Sequence, residues 1–223
     1  MVAQDDLVIA GGSHAHRLNV TWRNKDVRKK IIQQIAVQYI GGKEELTGDS
    51  LFADILRSWK EKDISEIIWQ FWVGRNQKLS ENQRRRTLEF WKWCSGKIRT
   101  HEEENARILS DLLQLTCYLS EMGQDEEAML IQAAPYADVG HHSSFFIEYL
   151  NSLSARTPKA VANVFLAMLT KTVPSFEEEH IVSIVNSLYS GGLKDEANKI
   201  ANIYAMKGYE ILRAVYSENN PDR

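Results

Sequence analysis

Apolar residues recur at helical spacing along almost the whole chain. Ile31, Ile35, Ala36 and Tyr39 share one face, which predicts a helix from a cap at Asn24 or Asp26 to about Ile40, stopped by Gly41-Gly42. Asp49 is placed to cap a short segment carrying Leu51, Phe52, Ile55, Leu56 and Trp59. Asp63 is placed to cap another through Ile64, Ile67, Ile68, Phe71 and Trp72, ending near Gly74. Three capping boxes follow: Ser80 with Gln83, Thr100 with Glu103, and Ser175 with Glu178. In each, the hydroxyl can accept from the amide three residues on while the longer side chain returns to the cap amide. They predict helices from Ser80 to about Ile98, from Thr100 to Met122, and from Ser175 to Gly191. Further helices are predicted at Asp125–Ala134, from Ser143 or Ser144 to Leu153, and at Thr157–Thr172 with Pro158 at the first helical position. The last two are Lys194–Met206 and Tyr209–Ser217.

Short turns between helices make neighbours antiparallel. The expected fold is all-α, with antiparallel helix pairs stacked as a degenerate HEAT/TPR-like α-solenoid of about 9–11 helices. Successive caps imply helix pairs recurring every 33–45 residues, roughly the range of α-solenoid repeats. Residues 1–24 are read as a flexible or partly ordered lead-in. Residues 25–217 form the helical-repeat domain, with a candidate sub-boundary near 99–101, and 218–223 form a tail.

Composition narrows the class. The 223 residues are 43% hydrophobic and 26% charged, with only 4 prolines and 12 glycines, a mixture that suits a globular helical chain and not a loop-rich β-sandwich. The run Leu7-Val8-Ile9-Ala10 is too short for a membrane span, and Asp5-Asp6 before it is the wrong flank for a signal peptide. The expected location is the cytoplasm. Cys94 and Cys117 lie in apolar, helix-like stretches and are expected as reduced thiols.

The net charge of −3 conceals an asymmetry. Residues 1–100 hold 18 Lys and Arg against 12 Asp and Glu, giving +6, whereas 101–223 hold 9 against 18, giving −9. Within 75–99, Arg75, Lys78, Arg84, Arg85, Arg86, Lys92, Lys97 and Arg99 face only Glu81 and Glu89. Clustered cations with Phe90, Trp91 and Trp93 nearby fit a nucleic-acid surface, since they release counterions from phosphate and stack on bases. The competing reading is a solvated helix face, with Leu88, Trp91 and Ile98 turned to the core and the acidic second half neutralising the cations. Arg84, Arg85, Arg86, Lys92 and Lys97 are the candidate partner or nucleic-acid surface.

Candidate chemistry is sparse. His101 and His180 adjoin glutamate runs but lack the one-face spacing of a His-Glu-x-x-His zinc site, and acidic residues in a first helical turn are explained by the helix dipole. No metal and no cofactor are expected. His141 and His142, in a turn running from Asp138 to Ser143, form a candidate functional turn because imidazole titrates near neutrality. The favoured reading is structural, one ring meeting helix-end carbonyls and the other packing between helices. Trp69 and Trp72, three apart, share a face. They are expected to fill a groove between helix pairs, the alternative being a partner anchor.

The order Gly140-His141-His142-Ser143-Ser144-Phe145-Phe146, then Thr157-Pro158, then Leu188-Tyr189-Ser190-Gly191-Gly192-Leu193-Lys194-Asp195-Glu196-Ala197-Asn198, then Gly208-Tyr209-Glu210-Ile211-Leu212-Arg213 carries a resemblance. Over residues 100–217 it resembles the C-terminal helical-repeat region of large bacterial proteins whose N-terminal parts are SIR2-like or P-loop NTPase modules, many of them associated with antiviral defence. The resemblance implies a sensor, scaffold or oligomerisation region acting with a catalytic module encoded elsewhere; no family catalytic residue maps onto this chain. The expected function is therefore a non-catalytic protein-interaction, sensor or scaffold module, partnered by another protein or by itself. The alternative is a nucleic-acid-binding helical domain using the basic 75–99 segment.

Overall fold

The structure is a computed structural model that describes residues 25–74, 78–98, 102–137, 141–175 and 177–220. These residues form eleven α-helices and no strand. The helices are α1 (Lys25–Ile40), α2 (Leu51–Ser58), α3 (Glu61–Val73), α4 (Glu81–Ile98), α5 (Ala106–Leu112), α6 (Gln124–Ala133), α7 (His141–Ser154), α8 (Pro158–Leu169), α9 (Glu178–Ser190), α10 (Lys194–Met206) and α11 (Glu210–Asn219). No helix is long and apolar enough to cross a membrane among the described residues. The chain divides into two compact units, Met1–Ile67 and Ile68–Arg223. The lead-in expected at 1–24 and the sub-boundary expected near 99–101 lie outside the described residues.

In the first unit, Ile32, Ile35, Ala36 and Tyr39 are the buried stripe of α1, and the Tyr39 ring stacks on Phe52 of α2 at 4.3 Å and 12°. The cap of α2 is Ser50 and not Asp49; its Oγ accepts from the Ala53 amide at 3.0 Å. Asp63 was expected at a cap, but α3 starts at Glu61. The Asp63 carboxylate is instead buried, 4% exposed, and takes a forked bond from Arg28, Nε to Oδ1 at 2.8 Å and Nη2 to Oδ2. A planar fork on a carboxylate satisfies both oxygens at once, the condition under which a buried ion pair is tolerated.

In the second unit the helices interlock two elements apart. Ser144, Asn151 and Ser154 of α7 meet Glu177, His180 and Ser187, the partners lying at the start of and along α9, at 2.6, 3.0 and 3.1 Å. Partners occur in the same order on both sides, so α7 and α9 run parallel with α8 returning between them. The other helices do the same: Lys92 of α4 bonds Asp125 of α6, Asn163 of α8 bonds Glu127 of α6, and Lys159 of α8 bonds Glu196 of α10. The sequence separations of these last three are 33, 36 and 37, inside the period expected from the caps. Between the layers lie Val161, Val164, Phe165 and Met168 of α8, Ile181, Ile184, Val185 and Leu188 of α9, and Tyr204 of α10, all fully buried. Each large side chain of this kind contributes about 1.5–3 kcal/mol on burial.

Several helix ends differ from expectation. The Ser80–Gln83 box forms in both directions, the Ser80 amide donating to Gln83 Oε1 at 2.8 Å and the Gln83 amide to Ser80 Oγ at 3.3 Å. The Ser175–Glu178 box does not form: the residue before α9 is Glu177, in the left-handed region at φ 64, with no side-chain cap bond. The single helix expected over 100–122 is broken into the 3-10 turn Glu103–Asn105, α5, and the 3-10 segment Leu113–Tyr118. Residues 112–116 are buried without interruption, which one face of an α-helix cannot provide and tighter winding in a short piece can. At the C-terminus α11 continues through Asn219, and Asn220 is buried with its amide donating to Asn198 Oδ1 at 2.8 Å. Ordered structure therefore extends into the stretch expected as a tail.

Candidate functional site

The basic candidates all lie on α4, where Arg84, Arg85, Lys92 and Lys97 are exposed and Arg86 is not. Arg86 is buried, 5% exposed, so it belongs to the interior and not to a surface. Arg85 pairs with Glu89 one turn on and donates to Asn82 Oδ1 at 2.7 Å. Lys92 bonds Asp125 at 2.8 Å, which raises the lysine pKa and lowers that of the carboxyl, the shared hydrogen bond being the main cause in both. Lys97 sits 5.7 Å from the centre of the Trp93 ring, within cation–π range. Arg84 Nη2 donates to the Tyr118 carbonyl at 3.1 Å and to Ser120 Oγ at 3.2 Å. Arg84, Arg85 and Lys92 nevertheless line one surface concavity with Glu81, Glu89 and Glu126, whereas Arg86 is buried and Lys97 lies further along the helix. The neutralisation of α4 by the acidic second half is visible at Lys92. Arg75 and Arg99 lie outside the described residues.

His141 and His142 open α7, so they stand in a first helical turn and not in the preceding loop; their side chains lie outside the described residues, as do Asp138, Val139 and Gly140. The histidine that the structure does place in a network is His180. Its Nδ1 shares a 3.0 Å hydrogen bond with Asn151 Nδ2, and its Nε2 lies 3.7 Å from Glu177 Oε2. The other Glu177 oxygen accepts from Ser144 Oγ. Serine, glutamate, histidine and asparagine therefore form a chain in which the serine hydroxyl donates to the carboxylate and the imidazole lies beyond it. The chain holds α7 against α9. Among the described residues no group of three His, Cys, Asp or Glu is arranged to hold a metal ion.

The expectation that Trp69 and Trp72 fill a groove is corrected for Trp69, which is 42% exposed. The two indoles stack at 4.9 Å and 23°, and Phe145 of α7 meets Trp72 edge-on at 6.3 Å. Phe145 is 45% exposed and Val73 53%. Beneath this surface the frame is fixed. Phe71 is buried and packs edge-to-face on Phe90 of α4 at 5.0 Å, and its carbonyl accepts from the buried Tyr118 hydroxyl. The helical three-residue spacing puts Trp69 and Trp72 on one face, while Ile68 and Phe71 turn inward. The sequence signal for this surface was the Trp pair itself; the contribution of Phe145 required the fold.

No family model, curated protein or solved structure matches this chain.

Proposed function

We propose that this chain is a non-catalytic protein-interaction module, a stack of helix pairs that presents an aromatic surface to a partner protein. The observation that supports it most is the Trp69, Trp72, Phe145 and Val73 surface on a buried frame. Stacked helix pairs build a long, shaped surface while their interior requires only apolar spacing. Tryptophan and phenylalanine supply large contact area with few rotatable bonds, which is why such residues dominate binding energy at interfaces. Next to Phe145, the Ser144 hydroxyl donates to Glu177 and ties α7 to the start of α9. A module of this kind acts with a catalytic component encoded elsewhere, in keeping with the resemblance to helical regions attached to SIR2-like and P-loop NTPase modules.

The test is site-specific photocrosslinking in the native cell, with a benzophenone side chain at position 69 or 145 and at Lys199 on another exposed face. The expected result is one shared adduct from 69 and 145, another protein or a second copy of this chain, that is absent from 199 and from a Trp72→Ala background. Adducts at 199 alone, or nucleic acid recovered with the chain in place of protein, would overturn the reading.

A further inference from the structure

The geometry points to Ser120 as a phosphorylation site whose phosphoryl group is held by Arg84 and Arg156. Ser120 lies in the irregular segment between the 3-10 turn ending at Tyr118 and α6, and it is exposed. Arg84, in the first turn of α4, donates from Nη2 to its Oγ at 3.2 Å. Arg156, in the turn between α7 and α8, donates from Nη2 to its carbonyl at 3.4 Å. The two arginines are each 36 positions from Ser120, so three consecutive helix pairs converge on one residue. Neither guanidinium is paired with a carboxylate among the described residues, and each uses only Nη2 in these bonds. Among the described residues, Nε and Nη1 of both remain as donors.

Two arginine forks that meet only neutral oxygens are an incomplete arrangement. Charge-assisted bonds to an anion are roughly twice as strong as neutral ones, and the planar fork matches phosphate oxygens in pairs. A phosphoryl group on Ser120 would put its oxygens on the atom Arg84 already bonds and beside the carbonyl Arg156 already bonds. Glu121 and Glu126, close in sequence, oppose the added charge, so its retention depends on both arginines. The covalent step requires a separate serine kinase carrying a nucleoside triphosphate. The Ser120 Oγ–P bond forms, the bond between the terminal phosphorus and its bridging oxygen breaks, the nucleoside diphosphate leaves with the electron pair, and the hydroxyl proton passes to a base of the kinase. The consequence is a clasp across α4, the segment before α6, and the α7–α8 turn. This site does not depend on the aromatic surface.

The experiment is phosphorus NMR on the full chain with phosphoserine genetically encoded at 120, titrated with pH. The second ionisation of a phosphoserine falls near about 6. The expected midpoint lies below that of the same chain in denaturant, and Arg84→Gln and Arg156→Gln each move it back. The thermal midpoint of the phosphorylated chain should exceed that of the unmodified chain, with the gain lost in the double Gln variant. A midpoint identical in folded and denatured chain, or unmoved by both substitutions, overturns the proposal. Peptide mass spectrometry of the chain from its native cells should find Ser120 phosphorylated; an unmodified Ser120 in every growth state overturns its use as a site.

Discussion

The Asn163 carboxamide donates to the Glu127 carboxylate at 2.7 Å across 36 positions of sequence. Both side chains are half-buried, one on α8 and one on α6, so water replaces a lost partner only in part. Bonds to a charged group contribute about 1.5–3 kcal/mol. Asn163→Ala is expected to lower unfolding free energy by about 1–2 kcal/mol, measured by urea denaturation. Asn163→Asp should cost more, since it sets a second carboxylate against Glu127. Equal stability of Asp, Ala and wild type would show that α6 and α8 are not held there.

The Lys92–Asp125 pair gives a pH dependence whose sign follows from its two shifts. Asp125 is held below the ordinary carboxylate range, chiefly by its hydrogen bond to Lys92. Its contribution is present above about pH 4 and is lost as pH falls through the lower folded value. Lys92 is raised by the same bond, so its contribution is present below about pH 10 and is lost as pH rises through the higher folded value. Both groups are largely exposed and the effect is modest. Thermal midpoints of wild type and Lys92→Gln should differ between these limits and converge at acid pH. A gap that persists unchanged through the acid limb contradicts the pairing.

The two cysteines should separate by reactivity. Cys94 is fully buried in α4, and removal from water pushes its thiol pKa well up, while Cys117 is exposed. Thiolate is the reactive form. A disulfide reagent should therefore titrate one thiol per native chain and a second only with unfolding. Reaction of both thiols in the native chain would contradict the burial of Cys94.

Gly192 has φ +77 with open space around the position a Cβ would take. Any cost of a side chain there is conformational and not steric. Gly192→Ala is expected to destabilise by about 1–2 kcal/mol, and Gly192→Asn by less, because asparagine tolerates the left-handed region. Denaturant midpoints of the two variants check this order. A larger loss for Asn than for Ala would place the cause elsewhere.

Much of the local structure was legible because helix ends carry their own chemistry. The Ser80–Gln83 box, Pro158 at the start of α8 and Gly191-Gly192 after α9 are set by atoms a few residues apart. What stayed hidden is what depends on register between segments about 35 residues apart. Arg86 is one of three adjacent arginines, and only the packing of α4 decides which of them is buried. Asp63 had the position of a helix cap, yet Arg28, 35 residues earlier, takes its carboxylate. The turn Gly-x-x-x-Glu-Ala occurs at both Gly123 and Gly192, 69 positions apart, but the intervening helix pair lacks it, which obscured the period. Trp69 was misplaced for the same reason: spacing fixes the face a residue shares, not whether a neighbour covers it. Among the cations at 84–97, the string could not tell that Arg86 is buried while Arg84, Arg85 and Lys92 share one concavity.

Side-chain bonds that span one helix pair at a time have a mechanical meaning for this molecule. Ser144–Glu177, Asn151–His180 and Ser154–Ser187 join α7 to α9 along its length, and Lys159–Glu196 joins α8 to α10, so strain introduced at one helix reaches the helix two further on at several points. A substitution at any one of these bonds is therefore shared with its neighbours, and paired substitutions along α7 and α9 should be non-additive.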